Sequence, residues 1–535
     1  MGKRITIKQM RQQIFTFEDG LDTLTDPRRL KPNNNKETVA GSPDMENVEI
    51  TKTGSILTST GFEEVSSIAS TGGAKNLLDY EKNDTTHLLI ITHGDKHYYI
   101  TPDDSTWVEV GDYGTEANYV GGTVYKCSDG SRYSILGNDI AANTMQKYDY
   151  DHAMQNVGGT PPDSYIMETF MGRLWAASGS TLYYTNVDDE DDWAGGGTIG
   201  FNDIITGLKK DGSRLTVFTK SYHQGVTFTF DSDYNISVPG KEINEREPGC
   251  LAHKSVRAVY SDIYYWSDIG VMSLGSERNY VDQALPRPQS LSTLIDPSLE
   301  YTNKAYRKDA CSLFYQQQYY LSVPYGTDNF NSRTFVYNRN RKAWTLRTGI
   351  YPTDWSLFRD SNYKNEVYFT DYFASRLLKF NDSYSYAGSG YTRKWTSKKF
   401  VMGDANRMKK WKWIDITGSI DEATEIRVRI QVDNNYKEYK IDRTELEVDA
   451  FGEYIGDNFL GDAYLGGAEA EDSRFKRFRS RLQFPKDLTE GFDMQITIYN
   501  SAEEQPWKID YIGIEYDMLP VTQIPNKYIN NQPIP

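Results

Sequence analysis

Cysteine is nearly absent. The three in 535 residues, Cys127, Cys250 and Cys311, are too few and too scattered for a disulfide framework or a four-ligand zinc site. No stretch approaches the ~18 uninterrupted apolar residues of a membrane helix. The first ten residues carry Lys3, Arg4 and Lys8 where a secretory signal would be apolar. The expectation is a soluble chain, made in the cytoplasm, without a membrane anchor. Positive charge is also short: 59 Lys and Arg against 75 Asp and Glu leave a net charge of −16, which excludes a surface built throughout to grip phosphates. Missing too are a phosphate-binding glycine-lysine loop, a dinucleotide glycine fingerprint, a nucleophile elbow and a zinc-protease histidine helix. The sequence therefore predicts no catalytic residue, no cofactor and no metal. His93 and His97 are four apart, but they flank a turn between strands, where that spacing loses its helical meaning. Asp188–Asp192 lacks the alternating ligands and glycine turn of a calcium loop and reads as a solvated acidic loop.

What the chain has is β-pattern. Forty tyrosines and forty-two glycines punctuate runs of four to eight alternating residues, and helical periodicity is hard to find. Thr86–Thr92 and His97–Thr101 read as two strands joined by a Gly-Asp turn. The same strand-turn-strand grammar recurs at 172–185, 214–230, 262–274, 318–338 and 366–380, and Tyr119–Gly158 reads as a degenerate copy. Recurrence at about 40–50 residues is the range of propeller blades. The expected fold is all-β: an extended N-terminal arm over 1–62 that contributes strands, a β-propeller of about seven blades over 63–392, a β-sandwich over 393–519, where alternation is cleaner, and an extended tail over 520–535.

Two basic stretches stand out in this acidic chain. One runs from Arg393 to Lys412. The other is Arg474, Lys476, Arg477, Arg479 and Arg481, interleaved with Phe475, Phe478 and Leu482. Segregated charge of this kind meets an acidic face of a neighbouring subunit, contacts nucleic acid, or is a solvated strand face. The candidate subunit-interface residues are the five basic residues of the second stretch, with Asp188, Asp189, Asp191 and Asp192 as their acidic counterpart on another copy.

The opening carries the most specific signal: Phe17-Glu18-Asp19-Gly20-Leu21-Asp22-Thr23, Pro27, Leu30-Lys31-Pro32, Ser42-Pro43-Asp44-Met45-Glu46-Asn47-Val48, Gly54-Ser55-Ile56-Leu57 and Gly61-Phe62. This resembles the N-terminal segment of bacteriophage tail hub and tail nozzle proteins, the packaged-DNA stabilisation β-propeller family. Asp22 stands where that family has Asn, and Thr58-Ser59-Thr60 replaces a basic residue before Gly61. Trp395–Phe400 and Trp507–Tyr516 are similar to the C-terminal β-domains of phage tail proteins. The resemblance implies a structural virion protein, a homo-oligomeric ring, usually a hexamer, below the portal. Its partners would be an adaptor, fibres or a needle, with double-stranded DNA passing transiently. The competing reading is a carbohydrate-binding or carbohydrate-cleaving β-propeller used for attachment.

Overall fold

Apolar side chains at every second position give a strand one dry face and one wet face, and strands so patterned must pair to satisfy their backbone groups. The outcome here is an all-β chain. The computed structural model describes residues 9–14, 16–30, 41–67, 74–83, 86–102, 104–212, 214–228, 239–242, 245–275, 288–360, 364–421, 423–442 and 475–519. The chain divides into two compact units, one of residues 62–340 and 348–381, the other of 1–61, 341–347 and 382–535.

Between Phe62 and Phe380 the chain builds seven four-stranded sheets, six of them from four strands that follow one another in sequence. The hairpins read from sequence supply the middle strands of these sheets. The first strands are Ala74–Glu81, Val120–Lys126, Ile166–Phe170, Ile205–Asp211, Arg257–Val259, Cys311–Tyr315 and Pro352–Arg359. Each packs against the first strand of the next sheet, and Pro352–Arg359 packs back against Ala74–Glu81, so the seven form a closed cycle. The seventh sheet takes its outer strand from the N-terminal side: Phe62–Ser67 pairs antiparallel with Arg376–Phe380, Phe62 opposite Phe380. Apolar clusters fill the gaps between neighbouring sheets. Leu88, Ile90, Val120 and Leu136 lie between the first and second, and Trp175, Leu182, Leu208 and Val217 between the third and fourth. Each such side chain taken out of water contributes about 1.5–3 kcal/mol.

Bonds cross the middle of this cycle. Lys254, ahead of the fifth sheet, places Nζ 2.7 Å from Asp354 Oδ2 on the seventh and donates to the carbonyl of Lys75 on the first, 2.5 Å away. Lys308, ahead of the sixth sheet, stands 4.2 Å from the ring centre of Tyr119, ahead of the second. Asp354 Oδ2 also accepts from the backbone N–H of Leu77 at 3.1 Å. These contacts join sheets that are not neighbours in the cycle.

The other unit has a seven-stranded and a five-stranded sheet. At the heart of the first, Lys409–Ile420 and Trp507–Met518 pair antiparallel, with Lys476–Gln483 on one side and Gln9–Ile14 on the other. The second contains Asp44–Glu46, Arg393–Thr396, Met494–Asn500, Ile426–Val432 and Asn435–Ile441. The N-terminal residues, expected as an extended arm over 1–62 that contributes strands, supply strands to both sheets. Gln9–Ile14, Asp44–Glu46, Val48–Ile50 and Ile56–Thr58 are strands of this unit's two sheets, and Phe17, Leu21, Met45, Val48 and Ile56 are buried. Unpaired strand edges are costly, and the C-terminal strands supply the missing ladders. The expected tail, 520–535, lies outside the described residues.

His93 and His97 fall on adjacent rungs of one hairpin, His93 opposite Lys96 and Thr92 opposite His97, so their side chains leave opposite faces. His93 Nε2 bonds Ser375 Oγ at 2.8 Å and His97 Nδ1 bonds Thr92 Oγ1 at 3.0 Å.

Candidate interaction surface

Lys476–Gln483 alternates strictly enough to fix its orientation. Phe478 and Leu482 are buried, while Lys476, Arg477, Arg479, Arg481 and Gln483 are exposed. The antiparallel register sets Arg481 opposite Asp415 and Arg479 opposite Thr417. Cross-strand neighbours on one face interact directly. Arg481 grips Asp415 with two parallel bonds, Nε to Oδ1 at 2.7 Å and Nη2 to Oδ2 at 3.1 Å. This bidentate geometry is the strong form of the pair, and the bond to Asp415 raises the Arg481 pKa above its ordinary value. Arg479 Nη2 lies 3.8 Å from the same carboxylate.

A third guanidinium arrives from the far side of the sheet. Gln9–Ile14 pairs with Trp507–Met518, and Arg11 Nη2 reaches Asp415 Oδ2 at 3.3 Å and donates to Tyr511 Oη at 3.0 Å. Gly513 makes room for that ring, because a Cβ there would sit 2.5 Å from the Tyr511 hydroxyl. Arg481 also lies 5.4 Å from the ring centre of Trp413, whose indole N–H donates to Glu515 Oε2 at 2.6 Å. Three guanidiniums thus share one carboxylate. The Asp415 side chain is 4% exposed, whereas Arg11, Arg479 and Arg481 are 45%, 62% and 53% exposed. On the five-stranded sheet charges are matched instead: Arg429 pairs with Glu438 at 2.6 Å, Arg427 with Glu425 at 3.4 Å, and Lys440 with Glu425 at 2.9 Å and Asp442 at 3.1 Å. Among the described residues the seven-stranded sheet gathers three guanidiniums around one nearly buried carboxylate, in a chain of net charge −16. Replacing Asp415 with Asn removes the carboxylate that the three cations share and leaves Glu515 as the remaining anion beside Arg481. It is expected to cost about 2 kcal/mol, because a nearly buried partner is lost while the cations stay hydrated. Urea titration of the variant checks this, and a change below ~0.5 kcal/mol would count against the cluster.

Of the sequence candidates, Arg479 and Arg481 belong to this cluster, Lys476 and Arg477 extend it along the strand, and Arg474 lies outside the described residues. Arg11, Asp415, Trp413 and Tyr511 were not among them. The only signal for Arg11 would have been the alternation around it, which does not name a partner five hundred residues away.

The acidic counterpart is used differently than expected. Lys147 Nζ bridges Glu190 Oε1 at 2.7 Å and Asp191 Oδ2 at 2.6 Å. Asp191 Oδ1 accepts from the Gly158 N–H at 2.7 Å, and Asp189 Oδ1 accepts from the N–H groups of Asp191 and Asp192 at 3.0 and 3.2 Å. Asp192 accepts from Gly195 N–H at 2.6 Å and Asn186 Nδ2 at 3.2 Å. These carboxylates hold their own turn together. Short acidic side chains cap nearby N–H groups readily, which is why a run of them folds inward. Of the four acidic candidates, Asp188 and Asp189 remain exposed and Asp191 and Asp192 are partly so.

No family model matches the sequence and no curated protein matches it. Among solved structures, the computationally designed Ika8 protein is similar at 9% identity over 60% of this chain and 100% of that one, with a TM-score of 0.33. A chain of the mitotic checkpoint complex is similar at 12% identity over 58% and 91%, with a TM-score of 0.35.

Proposed function

We propose that this chain is a structural protein of a bacteriophage tail, a nozzle or hub, in which a seven-bladed β-propeller and a β-sandwich assemble with further copies into a ring around the exit path of double-stranded DNA. The observation that carries the reading is the guanidinium face of the seven-stranded sheet. A flat, exposed patch of Arg with Trp and Tyr between is an interface anchor, and in an acidic chain other copies supply the complementary charge. Support also comes from the bridged centre of the seven-sheet unit: duplex passage then requires a channel enclosed by several copies. An acidic chain suits such a channel, since a wall rich in Lys and Arg would hold DNA by many salt-sensitive phosphate contacts. The N-terminal and C-terminal resemblances to tail proteins point the same way. The protein binds no cofactor and performs no catalysis in this reading, and its place is the virion.

Light scattering at low salt is expected to show a hexamer-sized species that dissociates as salt is raised, because screening weakens exposed charge pairs. Arg479→Glu with Arg481→Glu is expected to abolish it. A monomer at every salt concentration and at micromolar protein would defeat the reading.

A carbohydrate-binding propeller is the second reading. The feature favouring it is an aromatic cluster at loop tips of the sixth and seventh sheets. Phe330 lies 4.7 Å from Phe373 and 5.2 Å from Tyr372, and Tyr351 lies 5.0 Å from Phe373, which is 57% exposed. Against it, Trp175, Trp266, Trp344, Trp355, Trp395, Trp411 and Trp507 are fully buried and offer no sugar platform. A glycan array is expected to be blank. Binding that disappears in Phe373→Ala would transfer the assignment to the second reading.

A further inference from the structure

The centre of the seven-sheet cycle holds more positive charge than its own carboxylates neutralise. Lys254 is matched by Asp354 at 2.7 Å and Lys75 by Glu116 at 3.3 Å. Lys209 and Lys210 both lean on Glu168, at 2.9 and 3.6 Å. Burial pushes the Glu168 pKa up, but the two lysines together hold it below the ordinary value. Arg257 donates Nε to the carbonyl of Ser312 at 2.8 Å and, among the described residues, has no carboxylate within ion-pair distance. Lys308 lies over the Tyr119 ring and makes no ion pair among the described residues. The neighbouring Asp309 meets Tyr119 and is the one further carboxylate that Lys308, Lys254 and Lys75 act on, which leaves Lys75, Lys209, Lys210, Lys254, Arg257 and Lys308 against Glu116, Glu168, Asp309 and Asp354. Solvent still reaches the place: the Lys75, Lys209 and Lys254 side chains are 30%, 26% and 20% exposed.

A second observation comes from His253, which sits in the same segment as Lys254. Its Nδ1 is shut off from water and has no hydrogen-bond partner. Burial and then the cations Lys209, Arg257 and Lys254 depress its pKa to about 3, opposed by Glu168. The imidazole thus reports a positive field with a polar atom left over.

We propose that the centre of this cycle binds a small multivalent oxyanion of the phosphate or pyrophosphate class, with Arg257 and Lys308 as its principal ligands and Lys254 and Lys209 as flanking cations. The chemistry selects the class. A guanidinium presents a planar fork of donors to an oxyanion. Cations held on a rigid ring in a partly desolvated setting act far more strongly than the same charges on an open surface. Chloride carries one charge on a single atom, whereas a tetrahedral oxyanion with several charged oxygens spans more than one cation at once. The inference is independent of ring assembly, since every residue in it belongs to one chain and one unit.

The test is isothermal titration of the full-length protein with pyrophosphate, against sodium chloride at matched ionic strength. Saturable binding is expected with pyrophosphate and none with chloride. Arg257→Gln and Lys308→Gln are each expected to weaken binding about tenfold, the worth of one charge-assisted bond. Lys220→Gln, in a turn remote from the cycle's centre, is expected to leave it unchanged. Lys308 is exposed, so its variant keeps the fold even if that of Arg257 does not. In the imidazole NMR spectrum, the His253 signal is expected to move with pyrophosphate while that of exposed His152 stays. Absence of saturable binding, or affinity equal in wild type and Lys308→Gln, would overturn the proposal.

Discussion

Acidification from pH 6.5 toward 4.5 is expected to destabilise the seven-sheet unit before its carboxylates as a class are protonated. Three histidines of this unit are held neutral: burial pulls His97 and His223 down to about 4, and burial with neighbouring cations pulls His253 to about 3. One ring nitrogen of each is buried without a hydrogen bond; at His97 the Gln146 side chain only partly opposes the cost of burying a proton there. The unfolded chain takes up those protons near pH 6.5, whereas the folded chain does not until its depressed pKa values are reached. The unfolded state therefore binds more protons across this window, and stability falls as pH falls through it. At about 1.4 kcal/mol per pH unit and per group, the three together withdraw on the order of 10 kcal/mol by pH 3, comparable with the whole stability of a typical domain. The Glu168 carboxylate adds to the loss, since its depressed pKa also makes it stabilising only while ionised. Urea midpoints measured from pH 7.5 to 4.5 check this. His97→Gln and His223→Gln should each flatten the fall, and a midpoint unchanged down to pH 4.5 would refute the account.

Truncation of Arg393 is the second large effect. This side chain is 0% exposed and, among the described residues, meets no carboxylate within ion-pair distance. Its guanidinium donates to the carbonyls of Tyr384 and Ala502, the latter at 2.7 Å, and lies 3.9 Å from the ring centre of Tyr391. Tyr391 stacks in turn on Tyr386 at 3.7 Å with planes 8° apart. A buried cation is tolerable only when carbonyl dipoles and a ring face replace its water. Arg393→Ala strands two carbonyls and opens a cavity, for about 4 kcal/mol. Arg393→Met fills the space without the bonds and should cost about half as much. Arg393→Lys keeps the charge but not the fork, so it should not match the wild type. A Lys variant as stable as Arg in urea titrations would show that charge alone is what this site requires.

The strand-turn-strand units were legible because their signal is local: His87–His93 and Lys96–Ile100 are joined at Gly94, whose φ of +62° suits glycine. The segment from Tyr119 to Gly158 looked degenerate for a physical reason. Gly121 and Gly137 lie under the backbone leading into the third sheet, where a Cβ would come within 1.9 Å of Tyr165 O and 2.2 Å of Ser164 O. Close approach demands glycine there, and glycine erases the β-branched signature of a strand. The N-terminal residues read as an arm because their apolar positions are sparse and broken by Pro and Gly, yet Phe17 packs edge-on against Trp395 at 5.1 Å. For the interaction surface, alternation of Arg with Phe and Leu marked the exposed side of one strand. It could not reveal that Asp415 and Arg11 would meet it, because sheet order is settled by packing and not by spacing along the chain.

The Phe62–Ser67 strand sets a schedule for the growing polypeptide. Its partner, Arg376–Phe380, emerges from the ribosome more than three hundred residues later, a wait on the order of 15–60 s at about 5–20 residues per second. Gln9–Ile14 waits longer still, for Trp507–Met518. Apart from residues 341–347, one unit is thus nested in sequence inside the other, and synthesis completes the inner before the outer. A nascent chain stalled soon after Phe380 would already contain every strand of the seven-sheet cycle, while its first sixty residues still presented bare edges to chaperones and to other nascent chains on the same message.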